Sequence, residues 1–227
     1  MSTASLTRTA VAAALVVGVA LTVVSVATMP DFSGDQAERL QAVAASPRAP
    51  LSAWTWVLSQ PLLGIGVVGV AHLARRSAPV LATLAAVAFG LGVLGHAVYG
   101  GINLAMLAMA EDLGALEAHV AVLDRLEGGL MLPFMAAGLL GTVLGVLLLA
   151  ATTWRAGLGP RWVGPALVVW VVVEFVGSGL VEWAGVASGA LLTVAFGTLA
   201  ATVWRSSITH WQTAAETTAA APDAVTV

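Results

Sequence analysis

Six long apolar stretches alternate with short polar segments along the chain. A helix needs about 20 apolar residues to cross roughly 30 Å of hydrocarbon, and each stretch is of about that length. The pattern predicts an all-α fold, a polytopic membrane helix bundle of about six transmembrane helices. The predicted spans are residues 9–29, 54–73, 80–108, 130–153, 162–181 and 185–204.

These spans form a single transmembrane domain over residues 9–205, preceded by residues 1–8. The tail of residues 206–227 ends in an Ala- and Thr-rich stretch without apolar periodicity, so we expect it to be disordered. The first span has a second interpretation, because Arg8, the apolar run and the small residues before Thr28 are also typical of a secretory signal peptide cleaved after Ala27. Its apolar run exceeds the core of about 7 to 15 residues in signal peptides, which favours a retained span.

Two connecting segments carry short amphipathic patterns. Residues 35–46 place apolar residues at helical spacing behind Asp35, which is suited to cap a helix. Residues 111–127 place Leu and Val on one face and the acids Glu117 and Asp124 on the other. We expect a small external helical cover, in which the second segment is either a lid or a packed connector.

Arginines divide unevenly between the two sides of the predicted bundle. Six fall on the side of the N-terminus and three on the other, so the positive-inside rule predicts that both termini are cytoplasmic. The six are Arg8, Arg75, Arg76, Arg155, Arg161 and Arg205. Most acidic residues of the connecting segments fall on the opposite, external side.

The composition is that of a membrane protein and not of a water-soluble domain. Hydrophobic residues make up 59% of the chain and charged residues only 9%, against about a quarter in soluble domains. The chain has no cysteine. All its basic residues are arginine, which indicates a high-GC bacterium, so we expect the membrane to be the bacterial plasma membrane. With a net charge of -3 and no basic run, we expect the lipid bilayer, and not nucleic acid, as a partner.

Polar side chains share one helix face on each of two predicted spans. On the third span, His96, Tyr99 and Asn103 are spaced by three and then four residues. On the fifth span, Glu174 and Ser178 are four residues apart. At about 1.5 Å per residue, Glu174 lies about 18 Å into its span and within about 6 Å of His96 in depth, so the two faces could meet at an outward-facing pocket. The candidate ligand or proton site is Glu174, His96, Tyr99, Asn103, Ser178, Trp170 and Gln60.

Glu174 is the strongest candidate in this set. A charged residue at the centre of a span costs about 2.5 to 3.5 kcal/mol on insertion scales, so its side chain should face the bundle or a water-filled cavity. The structural alternative is a hydrogen bond that only holds two helices together, with His96 as the expected partner.

No cofactor, metal site or catalytic residue is predicted. His72 lies about one turn from the inner end of its span, whereas His96 lies roughly 24 Å into the next, so the two cannot ligate one haem iron. The favoured function is binding of a small or lipid-like ligand, or of a partner protein, at the outward-facing pocket. A proton-coupled transporter that uses Glu174 and a membrane-embedded enzyme on isoprenoid or lipid substrates are the alternatives.

Small residues four apart on the fourth and sixth spans allow close helix approach, within the bundle or with a second copy in a homo-oligomer. Residues 147–168, reading LLLAATTWRAGLGPRWVGPALV, combine a span that ends in Trp-Arg, a Gly turn, and Pro-Arg-Trp at the start of the next span. This stretch resembles actinobacterial multi-pass membrane proteins of a domain-of-unknown-function type. The resemblance implies a membrane domain of six or seven helices, and it implies no activity and no site residues.

Overall fold

The computed structural model describes residues 2–177, 180–181 and 183–212. In this part of the chain the fold is all-α, as predicted, with eight α-helices and no strand. The helices are α1 (Thr3–Thr28), α2 (Gln36–Ala45), α3 (Ala49–Ala74), α4 (Pro79–Ala110), α5 (Leu116–Arg125), α6 (Leu132–Ala156), α7 (Val163–Phe175) and α8 (Ala184–Arg205).

Five of these helices, α1, α3, α4, α6 and α8, are long and apolar enough to cross a membrane. They correspond to five of the six predicted spans and fit a membrane protein. The remaining span, predicted over residues 162–181, corresponds to α7, an apolar helix of only 13 residues that ends at Phe175. A helix of that length is roughly 20 Å long.

Local sequence explains several helix ends. The Asp35 carboxylate accepts a hydrogen bond from the backbone N–H of Glu38 (2.9 Å), and the Glu38 side chain accepts one from the N–H of Asp35, which confirms the predicted cap of α2. Pro79 begins α4 at a position where no helical N–H is needed. Gly157 ends α6 with φ of 62°, a left-handed conformation that glycine adopts without strain.

Six helices close into a ring around a continuous apolar core. Each helix packs against the next in the order α1, α3, α4, α6, α7 and α8, and α8 packs against α1. Every helix of the ring contributes side chains to this core, among them Leu15, Val67, Phe89, Leu149, Leu167 and Phe196. In this order α6 separates α4 from α7, which decides how the polar residues are distributed.

Glycines bring α4 and α6 into backbone contact. A methyl group added at Gly92 would lie 2.7 Å from the backbone nitrogen of Thr142, and one added at Gly145 would lie 2.6 Å from the backbone nitrogen of Phe89. Gly95 and Gly138 approach each other in the same way one turn further along. The close approach predicted for the fourth span is therefore seen within the bundle at Gly145, whereas a methyl group added at Gly185 of the sixth span would meet no atom within 4 Å.

The two short amphipathic segments form a cover at the outer end of α4, where outer means the end remote from the arginine-bearing one. α2 and α5 pack together and bury Leu40 and Leu123 against Met106. Arg39 of α2 and Glu127, which follows α5, form an ion pair of 3.4 Å. Residues 111–127 are packed in this cover, with a 3₁₀ turn before α5 and a π-helical turn, Leu126–Leu130, after it.

Candidate functional site

His96 of α4 is fixed by α6 and α3. Its ring Nε2 lies 3.1 Å from the Thr142 hydroxyl of α6, and its backbone carbonyl accepts a hydrogen bond of 3.2 Å from the Trp56 indole of α3. The Trp56 and His96 rings meet edge to face, with centroids 5.3 Å apart. This geometry joins three neighbouring helices of the ring and assigns the ring Nε2 and the backbone carbonyl of His96 to interhelical contacts.

Gln60 belongs to the same part of α3 but bonds within its own helix. It is buried, and its amide nitrogen lies 3.0 Å from the Ser59 hydroxyl, which in turn donates to the carbonyl of Trp56 (2.7 Å). Gln60 has no hydrogen bond to His96 among the described residues. It is a satisfied polar side chain inside the helix packing.

Tyr99 and Asn103 continue the polar face of α4 towards the outer cover. Both side chains are half-buried, and Tyr99 lies within electrostatic range of the Arg39–Glu127 ion pair. Along α4 the predicted stripe therefore runs from the α3–α6 interface at His96 to the cover formed by α2 and α5.

Glu174 lies in a different helix interface. Its carboxylate Oε2 accepts a hydrogen bond from the Ser188 hydroxyl of α8, and Ser188 is only 3% exposed. Ser188 is in the first turns of α8, so this pair is near the outer end of the bundle. The expected contact between Glu174 and His96 is not formed, because α6 separates their helices and each residue has another partner.

Trp170 is one turn from Glu174 on the same face of α7. The side chain is 7% exposed, and its indole Nε1 has no hydrogen-bond partner in the described part of the chain. Its ring meets that of Phe175 edge to face, with centroids 6.0 Å apart. A buried donor without an acceptor is uncommon, because it loses its hydrogen bonds to water without replacement.

Ser178, the other predicted residue of this stripe, lies outside the described residues. Ser188 and Thr142 are the partners that the sequence analysis missed. Both are small hydroxyl residues beside glycines, Gly189 and Gly141 respectively, and such positions face a neighbouring helix. That adjacency is the signal by which they could have been found.

The described residues offer no group of three or more His, Asp or Glu side chains that could hold a metal ion. No family model, no curated protein and no solved structure matches the chain. Function therefore has to be inferred from the chain's own residues.

Proposed function

We propose that the chain is a multi-pass protein of a bacterial plasma membrane with both termini in the cytoplasm. The five long apolar helices and the closed ring support the membrane position. The cytoplasmic orientation of the termini is supported by arginines concentrated at one end of the ring, since cytoplasmic segments carry an excess of basic residues.

We further propose that it binds a small or lipid-like ligand at Glu174 on the outer side. The observation that carries this proposal is the buried indole N–H of Trp170, which has no partner among the described residues and lies one turn from a carboxylate bonded to Ser188. A ligand with a hydrogen-bond acceptor for Trp170 and a donor or cationic group for Glu174 would satisfy both groups. The T-shaped pair of Trp170 and Phe175 would supply an aromatic wall.

His96 has a different role in this proposal. Its ring and carbonyl are both used between helices, so it positions α4 and stays outside the ligand site. Glu174 is then the charged group of the site among the described residues, with Trp170 as the second contact.

Native mass spectrometry of the detergent-purified, full-length protein tests the ligand site. We expect a discrete adduct on the wild-type protein that is lost from Glu174→Gln and reduced in Trp170→Phe, which removes the indole N–H. Glutamine retains an oxygen that can accept from Ser188, so the variant should keep its fold. Glu111→Gln is the matched control, because it neutralises an exposed acid of the outer end and should keep the adduct.

A wild-type protein that carries no small-molecule or lipid adduct contradicts the ligand proposal. The same holds if the adduct persists at full occupancy in Glu174→Gln. An associated protein chain in place of an adduct would show that this surface is a partner contact.

A further inference from the structure

A groove opens at the arginine-bearing end of the ring, remote from Glu174. Its volume is about 440 Å³, which is within the range of small-ligand sites. Leu73 at the end of α3, Leu158 and Pro160 of the α6–α7 connection, and Ala201 of α8 contribute apolar surface. The exposed side chains of Arg205 and His210 lie at the same groove and supply its charged and polar groups.

The wall that carries Arg205 and His210 is held from behind by α1 and α3. Trp211 is buried and donates from its indole to the Ser206 hydroxyl (2.8 Å), while Arg8 of α1 donates to the Ser206 carbonyl (3.0 Å). The His72 ring stacks on Trp211, with centroids 5.2 Å apart, and its Nε2 lies 2.9 Å from the His210 carbonyl. These contacts fix the 3₁₀ turn Ile208–His210 and preorganise one side of the groove.

Among the described residues, this end of the molecule is positively charged. Six arginines lie here, whereas every acidic residue that the structure describes lies in the outer half, on α7 at Glu174 or in the connections and cover around α2 and α5. Arg205 has no carboxylate partner among the described residues. The carbonyls at the C-terminus of α8 offset part of its charge.

We propose that this groove binds one anionic phospholipid of the inner leaflet. Its phosphate would contact the Arg205 guanidinium and a ring N–H of His210, and one acyl chain would follow the apolar surface of Leu73, Leu158 and Ala201. Charge complementarity and the position of Arg205 as the last residue of an apolar helix, at the depth of lipid headgroups, favour this occupant. The inference depends on the membrane position but not on the ligand site at Glu174.

Native mass spectrometry of the full-length protein, exchanged into equal amounts of phosphatidylglycerol and phosphatidylcholine with identical chains, tests this inference. We expect one retained phosphatidylglycerol on the wild type. Arg205→Gln should retain it about fivefold less, the loss typical of one basic contact at a membrane surface. Ala201→Phe should abolish retention without a change of charge, because the phenyl ring fills the groove.

Arg76→Gln is the matched control. Arg76 is exposed and lies at the same end of the molecule, but it does not line the groove. Its retention should equal that of the wild type, and the melting temperatures of all variants should show that they remain folded. Equal losses in Arg76→Gln and Arg205→Gln would overturn the proposal in favour of a diffuse electrostatic effect. A wild-type protein that retains neither lipid would also overturn the proposal, including the case in which residues 213–227 occupy the groove. The same holds if the wild-type protein exchanges its lipid for inorganic phosphate.

Discussion

The His96–Thr142 hydrogen bond joins α4 to α6 at the level where glycines bring these helices together. Thr142→Val removes this bond and keeps the shape of the side chain. We expect the free energy of unfolding to fall by about 0.6 kcal/mol and by no more than about 1.7 kcal/mol, the average and the maximum measured for interhelical hydrogen bonds in a membrane protein. Reversible unfolding in mixed micelles measures the change.

Thr193→Val is the control for this experiment. Thr193 is exposed on α8 and bonds only to the Gly189 carbonyl of its own helix (2.7 Å), so its replacement should change stability by much less. Equal effects of the two substitutions would show that the contact between His96 and Thr142 contributes nothing beyond the local loss of a hydroxyl.

At this scale the sequence predicts which residues share a helix face but not the neighbour that the face meets. The spacing predicts that His96, Tyr99 and Asn103 share one helix face, and the rise per residue predicts a similar depth for His96 and Glu174. Depth is one coordinate only. The angular order of the ring, in which α6 separates the two helices, depends on packing between distant segments, and no periodicity within one segment records it.

The α4–α6 interface depends on glycine at some positions and not at others of the same helix. Gly92→Ala would place a methyl group against the backbone of α6, so the helices would have to separate and lose packing along their length. We expect destabilisation by about 1 to 3 kcal/mol, the usual cost of overpacking a close contact. Thermal unfolding followed by circular dichroism in detergent measures it.

Gly90→Ala makes the same change two residues earlier, where no atom lies within 4 Å of the added methyl group. It should be neutral or slightly stabilising, because alanine favours helix more than glycine does. Destabilisation by Gly90→Ala equal to that of Gly92→Ala would contradict this explanation, because the loss could then not be attributed to the contact between α4 and α6.

Element boundaries differ from the predicted spans for identifiable reasons. α1, α3 and α4 extend beyond their apolar stretches, because helical hydrogen bonding of the backbone continues into residues outside the apolar stretch. α4, for example, ends at Ala110. α7 is shorter than its apolar stretch. Five of the six residues 168–173 are valine and Gly177 follows, and neither β-branched residues nor glycine favour helix propagation.

The proposed orientation of the whole molecule can be tested with single cysteines, because the natural chain has none. Ser33→Cys probes the segment between α1 and α2, and Ser77→Cys probes the segment between α3 and α4; both positions are exposed. A membrane-impermeant maleimide should label the cysteine at position 33 in intact spheroplasts and the one at position 77 only after permeabilisation. Labelling of position 77 alone in intact spheroplasts would mean the inverted orientation.

The ring also has unequal heights around its circumference. α4 has 32 residues and α7 has 13, so their lengths are about 48 Å and about 20 Å. In the proposed membrane position, the helical part of this side, α7, is shorter than a hydrocarbon layer of roughly 30 Å, which favours a local hydrophobic mismatch. The lipid beside α7 would have to thin locally, and the resulting dent in the outer leaflet would bring headgroups and water down towards the level of Glu174.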